Sequence, residues 1–590
     1  MRFSRVYDCL FFDVKRGRHE ALRRGRVTHG APRAPPVLSE KLGNPLRGIK
    51  LLSVAIAMAL MLLVAAPSSA QSQADPTTAG LATENGQGAS ILDLRGDLRG
   101  SGKKRKRPNI VVLQTDDQTV QDTEVMPKVK RLLQDRGVTF DQMITPFAIC
   151  CPSRAAQMTG SYPHNNGVSA NFPPAGGFVP WEKKSGDKAI GQWLKNSGYH
   201  TVHIGKYING YAFGNRRDAK VPKGWSEWHG STDPSTYQMW GYRVNGPNGS
   251  RKYGKFPIED PRKYSTDVYR KKAVKVVRQQ AKQPGPFYMQ VAFLAPHVET
   301  VPIKGKLVPE SWADVDNPDP STGIVTIPPR PAPRDRNAFN NMPLEEDPSF
   351  NEADVSDKQE FVRNLPLLTD DDIAELVEDN RQRRRSLLAV DDAVKSVVAS
   401  LKKTGQYRNT IIVMMGDNGY LLGQHRISMG KYFPYEPALR IPFVMSGPGI
   451  KRGVNVGDLV SVIDLAPTLL DFARTKATGR QPDGKSLRRL LADKPVKRQR
   501  TVLLSSGPQR APNGEYLPQF GGVRSPHYAW WRYDDNFEEM YDLRQDPYQL
   551  GNVAGDPAYA SVRERMIAKW DQLKDCYGKT CRRPGLSKTS

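Results

Sequence analysis

Cysteine is scarce in this chain: of 590 residues only Cys9, Cys150, Cys151, Cys576 and Cys581 carry a thiol. So few exclude a disulfide-built scaffold, and each pair calls for its own explanation. Long apolar runs are scarcer still. The one clear case, LLSVAIAMALMLLVAA at 51–66, is shorter than the ~20 residues a spanning helix needs. Carboxylates are in deficit, 61 against 87 Lys and Arg, which leaves a formal charge of +26 and favours anionic partners. Two basic runs, 103–107 and Arg381 to Arg385, read as a solvated tail and an exposed helix face.

The apolar run follows Arg47 and Lys50 and precedes Pro67-Ser68-Ser69-Ala70, the order of a secretory signal with cleavage near Ala70. An uncleaved anchor is the alternative. Residues 1–46 form a basic leader, long for a signal n-region, and suggest a true start downstream, near Val37. The signal spans 47–70, and 71–107 reads as a disordered linker. The expected location is therefore outside the cell, on its surface or in a periplasm. In such an oxidising compartment Cys576 and Cys581 form a local disulfide. Adjacent Cys150 and Cys151 are too strained to bridge each other.

From Pro108 onward, short β-branched runs alternate with helical segments. Asn109 to Gln114, Val138 to Ile144, Thr201 to Ile204, Phe287 to Leu294, Thr410 to Met415 and Ile441 to Ser446 read as strands. Helical patterns cover Ala189 to Asn196, Asp267 to Gln280, Asp370 to Lys403 and Asp464 to Phe472. The expected fold is α/β, with a large, mainly parallel central sheet flanked by helices over 108–495. Residues 304–366, rich in Pro, Asp and Asn, are expected to make a surface excursion. Residues 496–590 change character and suggest a smaller C-terminal subdomain of antiparallel sheet plus helix.

Four strands end in chemistry: Asp116-Asp117, Gly205-Lys206, Pro296-His297 and Asp417-Asn418. In α/β sheets, ligands gather beyond the carboxyl ends of strands, so four such ends point to one assembled site. Asp116, Asp117, Asp417 and Asn418 offer hard oxygen ligands suited to calcium or magnesium.

The segment Cys150 to Gly160, CCPSRAAQMTG, resembles the signature of type I sulfatases in the alkaline-phosphatase-like superfamily. The resemblance extends in order through PNIVVLQTDD (108–117), GYHTVHIGK (198–206), Ala295-Pro296-His297, Gly416 to Gly419, Gly430-Lys431, Tyr435-Glu436, and Tyr541-Asp542-Leu543 with Asp546-Pro547. It implies a sulfuric ester hydrolase in which Cys150, two residues before Pro152, is oxidised to formylglycine by a formylglycine-generating enzyme. It implies one divalent metal, calcium or magnesium, held by Asp116, Asp117, residue 150, Asp417 and Asn418. An aldehyde hydrate offers two hydroxyls: one attacks sulfur, and the other later ejects sulfate and restores the aldehyde. Arg154, Lys206 and Lys431 would hold the sulfate charge, and His297 is the candidate acid for the leaving oxygen. Many relatives carry a histidine two residues after the first lysine. Here that position is Ile208, within GKYINGY, a variant that resembles the N-acetylglucosamine-6-sulfatase and heparan 6-O-sulfatase branch. Asn209 and His425 are candidate substrate contacts in its place. The expected partner is a sulfated small molecule or glycan, with no nucleic acid. Two other readings stand beside this one: a formylglycine-dependent phosphodiesterase or phosphonate monoester hydrolase, and a non-catalytic polyanion-binding protein.

Overall fold

Strand β1 (Asn109–Thr115, NIVVLQT) is buried along its whole length, as expected for the apolar run Ile110 to Leu113 when both faces of a sheet are covered. The computed structural model to which it belongs describes residues 106–215, 219–302, 324–494, 496, 500–509 and 516–583. The leader, the signal segment, Cys9 and most of the linker lie outside the described residues, as does 303–323. Among the described residues no helix is long and apolar enough to cross a membrane.

In chain order the next strands are β2 (Gly137–Ile144), β3 (His200–Gly205), β4 (Glu227–Ser231), β5 (Arg243–Gly246), β6 (Gly249–Lys252) and β7 (Phe287–Ala292). A separate ribbon, β8 (Glu299–Pro302) with β9 (Ile324–Ile327), precedes β10 (Thr410–Gly416), β11 (Phe443–Ser446) and β12 (Val454–Ser461). All but the ribbon join one ten-stranded sheet in the order β12-β2-β11-β10-β1-β7-β3-β4-β5-β6. β1 pairs parallel with both β10 and β7, and only β11 and β5 run against the rest. The sheet is thus mainly parallel, as expected. The exception is the Ile441 to Ser446 run, whose β11 is antiparallel to both of its neighbours.

The period-2 alternation of the strands sorts side chains into two cores. Ile110, Val112, Ile411 and Val413 face one; Val111, Leu113, Ile412 and Met414 face the other. The first core is covered by α1 (Cys150–Thr159) and the second by α2 (Ser265–Gln280) and α3 (Asp370–Lys403). Helix α3 begins with a capping box between Thr369 and Asp372, carries Asp370 to Asp372 in its first turn and Lys402 and Lys403 in its last, which complements its dipole. Helix α4 (Leu465–Ala473) joins the first core.

The arginine run in α3 is not an exposed face. Arg383, Arg384 and Arg385 are buried, because each finds partners: Asp122 for the first two, and Glu378 two turns back with the Ala338 carbonyl for the third. The described part of 304–366 likewise sends buried Glu352, Lys358 and Gln359 into the molecule.

Strands β13 (Val502–Ser505), β14 (Phe520–Arg524), β15 (Tyr528–Tyr533) and β16 (Glu538–Asp542) form an antiparallel meander, against which α5 (Ala560–Leu573) packs. Its Trp530, Trp531 and Tyr541 belong to the first core, so this smaller sheet shares apolar packing with the large one. A bidentate ion pair, Arg524 Nε to Glu436 Oε1 at 2.9 Å and NH2 to Oε2 at 3.2 Å, fastens the two. Cys576 and Cys581 are joined by a disulfide.

Candidate active site

The carboxyl ends of β1, β3, β7 and β10 and the start of α1 converge. Asp116 and Asp117 leave β1, Asp417 and Asn418 leave β10, Lys206 leaves β3, and His297 follows β7 by a short turn. Cys150 is the first residue of α1, and Arg154 lies one turn on, facing the same side. Gly205 makes the β3 exit possible: its φ is +95°, and a Cβ there would lie 1.9 Å from the Ala292 carbonyl oxygen.

The Cys150 Sγ lies 3.5 Å from Asp116 Oδ1, 4.0 Å from Asp117 Oδ1 and 2.9 Å from Lys431 Nζ. Lys431 Nζ also donates to Asp117 Oδ1. Lys206 Nζ is 2.6 Å from Asp116 Oδ2. Arg154 is held by three groups: Nε to Asp417 Oδ2 at 2.8 Å, NH2 to Asp116 Oδ2 at 3.5 Å, and NH1 to the Lys206 carbonyl at 3.0 Å. Its guanidinium therefore ties three strand ends together. His297 donates from Nδ1 to the Val298 carbonyl at 2.8 Å, since a carbonyl can only accept. That bond leaves Nε2 as the unprotonated nitrogen, 3.6 Å from Asp117 Oδ2.

These groups perturb one another. Burial would raise the Asp116 carboxyl, but Lys206, His297 and Arg154 outweigh it and hold it well below the usual carboxylate range. Burial pushes the Cys150 thiol well above its ordinary value. Burial pushes the His297 imidazole down to about 4, against the pull of Asp117 and Asp116.

The donor set fits a hard divalent cation. Asp117 Oδ2 and Asn418 Oδ1 are buried without a hydrogen-bond partner among the described residues, and Asp116 Oδ2 meets the Lys206 and Arg154 cations at 2.6 and 3.5 Å. Asp116, Asp117, Cys150 and His297 each present a ligand atom, and these lie within 4.8 Å of one another. Asp417 is more occupied. Its Oδ1 accepts the Asp117 and Asn418 N–H groups at 3.0 and 2.8 Å, and its Oδ2 accepts Arg154, which leaves one lone pair on Oδ2.

Asn209 and His425 bond to residues other than these. Asn209 Nδ2 donates to the Tyr237 hydroxyl at 2.9 Å, and its Oδ1 is buried without a partner among the described residues. His425 shares its Nδ1 with Glu352 and lies 4.1 Å from the Tyr435 ring. Cys151 packs in the first core, its N–H held by Asn171 Oδ1 at 2.9 Å.

Two residues at the site escaped sequence reasoning. Tyr237, between β4 and β5, places its ring 4.6 Å from Lys206 Nζ and 5.2 Å from the His297 ring. Arg383 reaches in from α3 and donates to the carbonyls of Asp117 and Pro296, the latter at 3.2 Å. A loop tyrosine carries no signal of its own, and the arginine run read as surface.

A mainly parallel sheet with acid pairs, two lysines and a histidine at its carboxyl edge defines a hydrolase of the alkaline-phosphatase-like superfamily. The sulfatase family model matches residues 108–475, and that of the N-sulphoglucosamine sulphohydrolase C-terminal region matches 423–576. The chain belongs to the sulfatase family and hydrolyses sulfate esters. It is 32% identical to an arylsulfatase of Volvox carteri, over 81% of this chain and 76% of that one. It is 31% identical to the human N-acetylglucosamine-6-sulfatase, over 82% and 87%. A solved structure in complex with its substrate D-glucosamine-2-N,6-O-disulfate superposes with a TM-score of 0.63 at 22% identity, covering 82% of this chain and all of that one. A phosphonate monoester hydrolase of Agrobacterium radiobacter shares the fold at 20% identity and a TM-score of 0.56, over 79% and 95%.

Proposed function

We propose that this sulfatase releases sulfate from sulfated sugars, outside the cytoplasm, with Cys150 converted to formylglycine beside one divalent cation. The observation that carries this reading is the position of residue 150. It sits at the first turn of a buried helix, within reach of Asp116, Asp117 and Lys431, inside the Cys-x-Pro-x-Arg core that a formylglycine-generating enzyme reads. Asp116, Asp117 and Asn418 would hold calcium or magnesium, with Asp417 alongside. A formylglycine hydrate there would supply an oxygen nucleophile and a second hydroxyl for sulfate release, and the cation would lower the pKa of the attacking hydroxyl.

The chain's own side chains do the rest. Lys206 and Lys431 offer positive charge on the Asp116 and Asp117 sides of residue 150, placed to hold the sulfate oxygens as charge shifts toward the leaving group. Arg154 keeps Asp417, Asp116 and the Lys206 backbone in register. His297 Nε2 faces the site as the unprotonated nitrogen of a tautomer set by the Val298 carbonyl, ready to take up and return a proton. Tyr237 walls the Lys206 and His297 side, and Asn209 stands behind it, available to a sugar hydroxyl. The sugar assignment draws on the similarity to N-acetylglucosamine-6-sulfatases and on the GKYINGY variant.

Peptide mass spectrometry across Cys150, after co-expression with a formylglycine-generating enzyme, tests the modification. Turnover of a panel of 6-O-sulfated sugars, aryl sulfates and aryl phosphonates tests the substrate. Full activity with an unmodified thiol would overturn the mechanism, and faster phosphonate than sulfate hydrolysis would overturn the substrate class.

A further inference from the structure

On the second-core side of the sheet, α2 and the end of α3 enclose a surface trough of about 620 Å³. It lies far from the reacting end of the strands. The carboxyl end of α2 leads into the start of β7, and the start of β3 lines a neighbouring depression, whereas the active-site groups leave those strands at their other ends. The trough is lined by Arg270, Lys271, Lys275, Arg278, Lys282 and Lys403, and by no carboxylate. Lys271, Lys275 and Arg278 recur at i, i+4 and i+7, one face of α2 over about 10 Å, and Lys282 extends the row past the helix end. Except for Arg270, which reaches Asp267 at 3.2 Å, these cations pair with no carboxylate among the described residues. All five of the unpaired ones are exposed. The adjoining depression, about 930 Å³, shares Lys275, Gln279 and Lys282 and adds Arg251 and Lys272. Its one carboxylate, Glu227, is engaged by His229 at 2.7 Å and His200 at 3.5 Å. The two hollows share Lys275, Gln279 and Lys282 as a common wall, and their cations together make a channel-like strip along α2.

Local helix physics accounts for only part of this. Cations near a helix carboxyl terminus are favoured by the dipole, which covers Arg278, Lys282 and Lys403. It does not reach Lys271 and Lys275, and like charges at i, i+4 destabilise a helix. An elongated, carboxylate-free, concave array of lysine and arginine suits a linear polymer that bears closely spaced anions, whose potential it would also steer from solution.

We propose that this channel binds a segment of a sulfated polysaccharide and tethers the enzyme to its polymer, apart from the active site. That the polymer's anions are sulfates rests on the sulfated-sugar reading above; the cationic channel does not. The test uses the full chain. Affinity for fluorescent dextran sulfate is measured at ~0.15 M salt, where weak surface electrostatics are largely screened, and compared with Lys275→Glu/Arg278→Glu. We expect about a tenfold or greater loss of affinity, with the salt dependence of binding reduced. Hydrolysis of a small monosulfate ester should be unchanged, since neither residue touches the catalytic cluster. Lys275→Gln/Arg278→Gln provides a milder pair should the reversal impair folding. Unchanged affinity in the folded variants would overturn the proposal, as would equal binding of dextran sulfate, duplex DNA and anionic lipid vesicles. Because binding is read without turnover, failure of the sugar-substrate reading would show in the substrate panel alone, and failure of the channel in the binding measurement alone.

Discussion

Arg383→Met asks how much of the site is held from behind. Arg383 is fully buried, and its guanidinium serves the carbonyls of Asp117 and Pro296, faces Asp122 at 3.6 Å and lies 4.3 Å from the Tyr420 ring centre. Asp117 has a positive φ of 62°, an uncommon backbone conformation for a residue with a side chain, and Arg383 grips the carbonyl at that bend. Pro296 immediately precedes His297. One side chain thus fixes both the acid pair and the histidine. Charge-assisted hydrogen bonds contribute about 1.5–3 kcal/mol each, so two give roughly 3–6 kcal/mol gross. Asp122 keeps Arg384 at 3.4 Å after the change, which places the expected net loss of stability at about 3–5 kcal/mol. Part of that loss should appear as displacement of Asp117 and His297. Misplacement on the ångström scale costs about 10²-fold, so kcat should fall roughly 30- to 100-fold with KM little changed. Arg383→Lys restores the charge without the planar fork and should fall between wild type and Arg383→Met. The assay is steady-state hydrolysis of a soluble sulfate ester by protein whose native fold is checked by near-UV circular dichroism. A kcat within about twofold of wild type in folded Arg383→Met would refute the positioning argument.

Other expectations follow from the same geometry. Lys206→Met should lower kcat/KM by about 10²- to 10³-fold, the usual cost of losing one preorganised electrostatic contact, in the same hydrolysis assay. Chelation should abolish activity, and calcium or magnesium should restore it; activity that persists after exhaustive chelation would contradict the oxygen-ligand site. Burial would raise Glu436, but the Arg524 pair outweighs it and depresses its pKa below the ordinary 4.5. The stability it contributes is therefore present above pH 4.5 and lost as pH falls through the lower folded value. Glu436→Gln should destabilise the protein at neutral pH by about 3–5 kcal/mol and flatten the acid limb of its denaturation profile.

Local pattern was enough for much of this architecture. Ile110 to Leu113 and Ile411 to Met415 are unbroken apolar runs because both faces of β1 and β10 are covered, and that is visible without coordinates. Phe287 to Leu294 reads as a strand, and Phe287–Ala292 is one. The chemistry of the site was legible for a related reason: in a parallel sheet, polar residues directly after apolar runs share one edge. What the sequence could not show were contacts between residues far apart along it. Arg383 and Asp117 are 266 positions apart, and Glu352 and His425 are 73 apart. No periodicity links such pairs, so buried arginines looked like surface charge. The antiparallel setting of β11 has the same origin, because strand direction is decided by connections and not by the strand's own residues. Apolar runs with polar ends gave six of the sheet's strands and four of its reactive corners, and the resemblance of Cys150 to Gly160 and of Gly430-Lys431 to sulfatase motifs supplied Cys150, Arg154 and Lys431. Only the tertiary structure decided which cations are spent on holding carboxylates in place and which remain on the surface, because pairing depends on burial and proximity in space.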